Sequence, residues 1–282
     1  TFDESYARLN EEQRKAVETI EGPVMVVAGP GTGKTQVVAV RVANILKKTQ
    51  MRPGNILCLT FSNSGATAMR ERLRSLIGAD AYGVGINTIH GFCNEIILQN
   101  PHVFETWAAL EQISDVERYR AVNRIIDQLL PDLQLVNRKN PYQRTKDILA
   151  RISQVKREGV TQQQLDKAAD TYEAEMSQKS KEGTKAHEKN MLAARKFRDF
   201  TKVFGMYQAM LLETQRYDYD DMILNVIRAL QEEDWLLASL QERYQYVIVD
   251  EFQDTNGAQL KVIDLLTTYV NGNAPNFCIV GD

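Results

Sequence analysis

The stretch that decides the fold reads Ala28-Gly29-Pro30-Gly31-Thr32-Gly33-Lys34-Thr35. It follows an apolar run at residues 23–27 and precedes residues 35–48, whose apolar side chains recur at helical spacing, so the order is strand, loop, helix. In the phosphate-loop pattern G-x-x-x-x-G-K-[ST], backbone N–H groups surround the phosphates, the lysine reaches the β- and γ-phosphates, and the hydroxyl holds Mg²⁺. Gly33, Lys34 and Thr35 match this pattern, and Ala28 replaces its first glycine. The pattern predicts a nucleotide-binding site at the start of the helix.

Two alternatives for this stretch are weaker. A glycine-rich turn that binds nothing has no use for a lysine and a threonine after its last glycine. The dinucleotide-binding pattern G-x-G-x-x-G is not met, because Lys34 stands where a third glycine is required after Gly29 and Gly31. The helix that follows is instead expected to direct the partial positive charge of its N-terminus at a bound anion.

Length and composition bound the class of protein. The 282 residues are enough for about two domains. No run approaches the ~18 apolar residues that cross a membrane, and no signal segment opens the chain, so we expect a cytoplasmic protein without membrane contact. Cys58, Cys93 and Cys278 lack C-x-x-C spacing and are predicted to be reduced core residues. Because the chain begins without methionine and stops directly after an apolar run, we expect a fragment of a longer protein.

Polar and aromatic residues follow two further predicted strands. Phe61 and Asn63 come after the apolar residues 56–60, and Thr88 and His90 lie where a third strand runs into a helix. Open α/β sheets bind ligands at the carboxyl ends of their strands, so these residues are candidates for a binding edge. Taken alone, Phe61 also fits a cap on the core, and His90 fits a structural histidine.

A buried strand near the end of the chain carries two acids. The apolar residues 246–249 run directly into Asp250 and Glu251. Magnesium needs a hard oxygen ligand beside the phosphates, which suits Asp250, and hydrolysis needs a base for the attacking water, which suits Glu251. Parallel strands of one sheet bring this pair to the same edge as the phosphate loop. A helix over residues 258–269 and a strand over 277–280 complete about five parallel strands.

The middle of the chain differs in character. From about residue 95 to 217 the helical period dominates and no strand alternation is convincing, which predicts a helical domain inserted into the α/β domain. Residues 173–189 are rich in Lys, Glu and Gln, which predicts a solvated helix or a mobile loop. Residues 138–157 hold seven Lys or Arg against the single acid Asp147, in a chain of net charge −3. This basic stretch is either a DNA contact or a solvated helix face.

Two polar clusters have a helix-capping explanation. Asn10 and Gln13 have the spacing of an N-cap and its reciprocal partner, and Asp218 or Asp220 is expected to cap the helix that follows it. The amide of Gln13 also has the donor and the acceptor needed to read the edge of an adenine.

Taken together, these motifs resemble the N-terminal part of the superfamily 1 DNA helicases of the UvrD/Rep group. Gln13 is similar to the adenine-reading Q motif, residues 28–35 to motif I, 59–63 to motif Ia and 88–92 to motif Ib. The string Asp250-Glu251-Phe252-Gln253-Asp254-Thr255 is similar to motif II and is the most specific of the set. Residues 219–222 also resemble a segment that these helicases carry before motif II.

The resemblance implies a fold, an activity and partners. The fold is a RecA-like P-loop NTPase domain with a parallel sheet, interrupted by a mainly helical inserted domain. Residues 1–94 and 218–282 then form domain 1A, and residues 95–217 form domain 1B. The activity is that of an ATP-dependent DNA helicase, acting in DNA repair, which uses ATP and Mg²⁺ to translocate on single-stranded DNA in the 3′-to-5′ direction and to unwind junctions of single- and double-stranded DNA.

The resemblance also implies roles for single residues. The nucleotide is held by Gln13 and by Ala28, Gly29, Pro30, Gly31, Thr32, Gly33, Lys34 and Thr35. Lys34 and Glu251 are catalytic, while Thr35 and, through water, Asp250 hold Mg²⁺. The single-strand path is lined by Phe61, Asn63, Thr88 and His90, with a base stacked on Phe61.

Two departures from the family pattern affect these expectations. Gln36 stands where many members have an arginine against the adenine, and the chain stops at Asp282, inside what resembles the start of motif III. A second RecA-like domain that supplies arginine fingers is absent, so we expect negligible ATPase activity and no unwinding from these residues alone. The alternatives are the helicase part of a helicase–nuclease and a helicase-like scaffold that binds DNA without turnover.

Overall fold

The computed structural model describes residues 1–29, 31–269 and 276–282, so Pro30 of the predicted phosphate loop lies outside the described residues. Contacts divide the chain into two compact units, Thr1–Val103 with Asn225–Asp282, and Phe104–Leu224. Both boundaries lie a few residues further along the chain than the positions 94 and 218 expected from the sequence. One reason is that a helix spanning Ile89–Gln99 continues without a break through the first expected boundary.

The helices and strands of the described residues alternate in the first unit and are mainly helical in the second. In chain order they are α1 Phe2–Ala7, α2 Glu11–Glu18, β1 Val24–Val27, α3 Lys34–Lys48, β2 Ile56–Thr60, α4 Asn63–Ile77, β3 Gly85–Thr88, α5 Ile89–Gln99, α6 Glu105–Ala108, β4 Glu111–Gln112, α7 Asp115–Leu129, α8 Thr145–Arg157, α9 Gln162–Gln178, α10 Lys185–Glu213, β5 Arg216–Tyr217, α11 Asp221–Glu232, α12 Asp234–Arg243, β6 Tyr246–Val249, α13 Gly257–Thr267 and β7 Asn276–Gly281.

The first unit is built on a five-stranded sheet in the order β1-β7-β6-β2-β3. Every pair of neighbouring strands is parallel, which confirms the predicted parallel sheet. All residues of β2 and β6 are buried, as expected for central strands whose two faces are both covered. Because all strands run the same way, the residues that follow them, including the loops after β1, β2 and β6, emerge at one edge of the sheet.

Helix α3 fixes the phosphate loop to this sheet. Its residues Val38, Val42 and Ile45 belong to the same buried cluster as Cys58 of β2 and Cys278 of β7. Burial of these apolar side chains contributes ~1.5–3 kcal/mol for each large one. Since α3 begins at Lys34, its packing sets the position of the loop end against the carboxyl edge of the strands.

The second unit is mainly helical, as the sequence predicts. Its apolar core joins side chains of α7, α8, α9 and α10, among them Ile126, Ile152, Leu165 and Phe204. It also contains a short parallel pair, β4 with β5, which the sequence did not predict because each strand has only two residues. Residues 173–189 are mostly helical, at the end of α9 and the start of α10, and none of them is buried.

The three cysteines are free and buried, as predicted from their spacing. Burial raises the pKa of Cys58 and Cys93 to about 12, so their thiols stay protonated near neutral pH. None of the helices in the described part of the chain is long and apolar enough to cross a membrane.

Candidate nucleotide-binding site

Two glycines just before α3 have a backbone conformation that suits a phosphate loop. Gly31 and Gly33 have φ of 77° and 82°, in the left-handed region that glycine adopts without steric cost. Gly33 is the N-cap of α3, and its carbonyl accepts hydrogen bonds from the N–H groups of Gln36 and Val37 at 2.9 and 3.1 Å. Since glycine has no side chain, the first turn of α3 is left open toward an anion.

Lys34 is the cation of this site. Only 9% of the residue is exposed, and its Nζ lies 3.9 Å from Oε2 of Glu251 and also pairs with the carboxylate of Asp282. The first acid follows β6 and the second follows β7, so three different elements supply the charges around one ammonium group. A phosphate entering here would replace carboxylate oxygens as the partner of Lys34.

Asp250 and Thr35 bring hard oxygen atoms to the same place. Asp250 is 5% exposed, its N–H continues the sheet by donating to the carbonyl of Leu59 at 2.9 Å, and its carboxylate accepts a hydrogen bond from the Thr35 hydroxyl. Burial, with added repulsion from Glu251, raises the pKa of Asp250. The N–H of Glu251, which donates to Asp250 at 3.0 Å, and the charge of Lys34 oppose that increase.

A carboxylate and a hydroxyl in contact fit a magnesium ion that keeps several waters and binds phosphates. Among the described residues there is no group of three or more His, Cys, Asp or Glu side chains that could hold a metal by themselves. The donor set therefore suits Mg²⁺ arriving with a nucleotide better than it suits a resident structural metal.

Glu251 is held in an unusual backbone conformation. Its φ is 55°, in the left-handed region, and only one other non-glycine residue of the described part, Gln215, has a positive φ. Such a conformation costs ~1–3 kcal/mol and persists where surrounding contacts impose it. The side-chain amide of Gln253 donates to Glu251 at 2.6 Å and accepts from the N–H of Asp282 at 3.2 Å.

The sequence did not predict that Gln253 contacts Glu251 and Asp282. The residue belongs to the motif II string, so its presence was a signal, but the string does not tell which atoms its amide contacts. The bond to Glu251 depends on the turn after β6, and the bond to Asp282 depends on β7 lying beside β6. Both neighbours are set by tertiary structure.

Gln13 lies at the start of α2 and contacts the phosphate loop. Its N–H donates to Oδ1 of Asn10 at 2.9 Å, and the N–H of Asn10 donates to Oε1 of Gln13 at 3.0 Å, which confirms the predicted capping pair. Nε2 of Gln13 donates to the carbonyl of Thr32 at 3.0 Å. The amide retains a second lone pair on Oε1 and a second hydrogen on Nε2, so capping does not use up the groups that adenine would need.

Phe61, Asn63, Thr88 and His90 follow two neighbouring strands. Thr60 of β2 is in register with Thr88 of β3, so both segments leave the sheet at the same edge. Phe61 is 58% exposed, so its interpretation as a cap on the core is wrong. Asn63 is exposed at the first turn of α4, while Thr88 caps α5 by accepting the N–H of Gly91 at 3.0 Å and His90 is half-buried.

The acids after β5 have a structural explanation. Asp218 and Asp221 cap each other, because each accepts a hydrogen bond from the other's N–H, at 3.2 and 2.9 Å. Both carboxylates also accept from Nζ of Lys156 at 2.7 Å. The N-terminus of α11 is thereby tied to α8 inside the second unit, and capping by Asp218 is confirmed.

The same contacts revise the interpretation of the basic stretch 138–157. Lys156 is fully buried and its charge is used internally, while Arg157 donates to Asp220 at 3.1 Å and Arg144 lies 3.8 Å from Asp147. Lys156 therefore has no access to a DNA backbone. Four exposed basic residues of the stretch remain candidates for such a contact, namely Arg138, Lys139, Lys146 and Arg151.

The sheet order, the phosphate loop at the carboxyl ends of the strands and the helical insertion define a RecA-like α/β domain. The family model of the UvrD/REP helicase N-terminal domain matches residues 9–282. The chain belongs to this family.

Curated relatives carry the name ATP-dependent DNA helicase PcrA. The protein from Bacillus subtilis is 30% identical over 277 residues, which cover 97% of this chain and 32% of the relative. The Leuconostoc citreum protein is 30% identical over 275 residues, with coverage of 97% and 32%, and a Staphylococcus aureus protein is 28% identical over 274 residues, with 97% and 33%. The chain thus spans about a third of the length of these relatives.

Proposed function

We propose that the chain is the ATP-binding N-terminal part of an ATP-dependent DNA helicase. The observation that carries this proposal is the convergence of Lys34, the Thr35–Asp250 contact and Glu251 at one edge of the parallel sheet. Family membership and the printed names of the relatives support it. A helicase-like scaffold without turnover is disfavoured, because it needs neither the cation, the metal donors nor the base.

In this proposal the phosphates of ATP bind at the N-terminus of α3. The backbone N–H groups after Gly33 and the ammonium of Lys34 provide the positive charge. Thr35 and, through water, Asp250 would hold Mg²⁺, which would neutralise part of the phosphate charge. Glu251 accepts a proton from the attacking water, and Gln253 orients its carboxylate.

Adenine recognition is proposed for Gln13. The second lone pair on Oε1 and the second hydrogen on Nε2 match the donor and acceptor that adenine presents on one edge. Gln36 follows the motif threonine and is half-buried on the first turn of α3. Gln36 cannot supply the charge of the arginine found there in many members, so adenine recognition rests more heavily on Gln13.

Single-stranded DNA is proposed to follow the edge formed by Phe61, Asn63, Thr88 and His90. The exposed ring of Phe61 suits stacking on a base, which tolerates any sequence. Five further features stay predictions of the family resemblance: the 3′-to-5′ direction, the strand junction as substrate, the partner domain with arginine fingers, a part in DNA repair, and the 1A and 1B boundaries. The cytoplasmic setting stays a prediction from the sequence.

The test of nucleotide binding is a titration of the chain with Mg²⁺ and a non-hydrolysable ATP analogue, beside Lys34→Met, with the folding of both checked by circular dichroism. Loss of the charged hydrogen bonds of Lys34 should weaken binding by ~1.5–3 kcal/mol, which is roughly tenfold to more than a hundredfold. Equal affinity of the two folded proteins would show that the nucleotide does not bind at this loop.

The DNA path is tested with Phe61→Ala. Loss of one base–aromatic stack should weaken binding of an oligothymidylate by ~1–3 kcal/mol at fixed low salt. Tyr82→Ala is the matched control, because Tyr82 is also an exposed aromatic residue, at 62%, but precedes β3 and so lies toward the opposite end of the strands. Equal losses in the two variants would count against a specific stack on Phe61.

A further inference from the structure

Two polar side chains of α3 are buried against the end of α2. Arg41 is 2% exposed and Asn44 is 3% exposed, although α3 otherwise buries apolar residues on this side. Burying a guanidinium group is costly unless its donors are satisfied. Burial lowers the pKa of Arg41 but leaves the group protonated at neutral pH.

Both side chains donate to the last carbonyl groups of α2. Nη1 of Arg41 donates to the carbonyls of Ala16 and Thr19, each at 2.5 Å, and Nη2 lies 3.5 Å from the carbonyl of Ile20. Nδ2 of Asn44 donates to the carbonyl of Val17 at 2.9 Å. These carbonyls end a helix or follow it, so α2 alone gives them few partners. A cation at a helix C-terminus also interacts favourably with the helix dipole.

We name this set of contacts from Arg41 and Asn44 to residues 16–20 the α2 clasp. Beside it, Val17 of α2 packs with Val37 and Val40 of α3 in a small buried cluster. Apolar packing is non-directional and permits a short helix to slide or rotate. The clasp removes that freedom, because four directed hydrogen bonds fix both the height and the rotation of α2 on α3.

The position of α2 matters because Gln13 lies on its first turn. α3 carries Lys34 at its N-terminus and Arg41 about two turns later, so one rigid helix holds both the phosphate site and the clasp. Gln13 in turn donates to the loop carbonyl of Thr32. The distance from the adenine-reading amide to the phosphate site is therefore set by α3 through Arg41 and Asn44.

We propose that Arg41 and Asn44 are positioning residues for adenine recognition, which act on Gln13 through α2 and not on the nucleotide itself. The proposal rests on the proposed function of the site. Gln13 adds to the affinity for a nucleotide only when the base and the phosphates bind at the same time. A loosened α2 therefore weakens the adenine contact and leaves the triphosphate contacts intact.

The test is the ratio of the affinities for MgATP and MgUTP, measured by titration calorimetry on the whole chain. Arg41→Met keeps an apolar stem but removes the donors, Arg41→Lys keeps one charged donor, and Asn44→Leu keeps the shape of the amide. The loss of ATP preference in Gln13→Ala measures the full contribution of the adenine contact. Val262→Ala, at a fully buried position in α13, is a control for loss of stability alone.

We expect Arg41→Met and Gln13→Ala each to reduce the ATP preference roughly tenfold, the value of about one lost hydrogen bond. Affinity for UTP should change less than about threefold in both variants. Arg41→Lys and Asn44→Leu should fall between Arg41→Met and the unchanged chain, and Val262→Ala should keep the original preference at a lower melting temperature.

An unchanged preference in Arg41→Met and Asn44→Leu, with a loss in Gln13→Ala, would overturn the proposal. Equal loss of preference in Val262→Ala would do the same, because general destabilisation would then explain the effect. If the unsubstituted chain binds ATP and UTP equally, adenine is not read and the clasp has no such role. If it binds neither triphosphate, the proposed function itself fails.

Discussion

Two lysines in this chain each face two carboxylates, and the two sites differ in their access to water. Lys156, Asp218 and Asp221 of the second unit have side chains that are 0%, 1% and 16% exposed, with both ion pairs at 2.7 Å. The carboxylates that face Lys34 in the first unit are 40% exposed for Glu251 and 42% for Asp282. The same residue types thus form a closed network in one unit and an open site in the other.

The difference distinguishes a structural ion pair from the proposed binding site. Around Lys156 the carboxylates and the ring of Tyr207, 5.2 Å away, surround the ammonium group, and Tyr207 also donates to Asp218 at 3.3 Å. No polar group there can change partner without leaving a buried charge. At Lys34 a phosphate can displace Glu251 and Asp282, because these carboxylates can turn to water. Burial of the partner carboxylates, more than residue type, therefore decides which lysine can exchange them for a phosphate.

The largest effect is expected for Lys156→Met. Removing the cation leaves two buried carboxylates without a counter-charge, which typically costs ~3–5 kcal/mol. Urea unfolding at pH 7 should show a free energy of unfolding lower by that amount. The triple variant Lys156→Met with Asp218→Asn and Asp221→Asn should regain part of the loss. A change below about 1 kcal/mol in Lys156→Met would show that the network is hydrated and not closed.

The two lysine sites also show which features of the structure the sequence can predict. The strand–loop–helix order, the five parallel strands and the acids after β6 were predictable, because hydrophobic periodicity and loop chemistry are local signals. The partner of the acids 218–221 was not, because Lys156 lies 62 residues earlier in the chain and was interpreted with the other basic residues as surface. Only tertiary packing distinguishes one lysine of a basic stretch from the rest.

The contacts of Arg41 and Gln253 could not be predicted from the sequence for the same reason. An arginine in the middle of an apolar helix gives no indication of whether it reaches solvent, a ligand or a neighbouring helix. Its carbonyl partners on α2 become visible only when the two helices are packed together. The sequence thus indicates the groups that we propose meet a nucleotide more readily than the groups that hold them in place.

Asp221 makes the stability of the protein depend on pH. Burial, which outweighs the attraction of Lys156, raises the pKa of Asp221 to about 6 from a value of 3.8. Between about pH 4 and 6 the folded protein therefore binds more protons than the unfolded chain, and this residue's contribution to stability falls as pH rises. Although burial opposes the change, Lys156 lowers the pKa of Asp218, whose contribution is present above pH 3.8 and lost as pH falls below it.

Asp221→Asn removes the first of these contributions. The free energy of unfolding of the variant, minus that of the unsubstituted chain, should increase from pH 4 to 6 by at most about 1.4 kcal/mol per pH unit, the slope for one proton. Above pH 7 the difference should be constant. Urea titrations at steps of half a pH unit measure this difference. A difference that is constant from pH 4 to 6 would show that the proton binds to a group other than Asp221.

A smaller effect on stability is expected for Lys34→Met, the same substitution in the open site. Its partners are half-exposed and can hydrate, so the free energy of unfolding should change by less than about 1 kcal/mol. Binding of the magnesium–ATP analogue should nevertheless weaken by ~1.5–3 kcal/mol. A loss of stability as large as that in Lys156→Met would mean that the site is as closed as the buried network, and the proposed distinction between the two lysines would fail.

A stabilising substitution distinguishes backbone strain from function at Glu251. Glycine adopts its φ of 55° freely, so Glu251→Gly relieves ~1–3 kcal/mol of backbone strain and adds ~0.5–1 kcal/mol of unfolded-state entropy. The net expectation is a stabilisation of about 1 kcal/mol. Gln215→Gly, at φ 52° in the second unit, is the matched control and should gain a similar amount.

Of these two substitutions, only Glu251→Gly should change the affinity for the magnesium–ATP analogue. Removing the carboxylate beside Lys34 lowers the negative charge that a triphosphate meets, so the analogue should bind Glu251→Gly at least as tightly as the unsubstituted chain. Gln215→Gly should leave that affinity unchanged. If Glu251→Gly is instead less stable than the unsubstituted chain, the left-handed conformation is favoured by contacts of the side chain itself, and the strain cannot be assigned to placing a catalytic base.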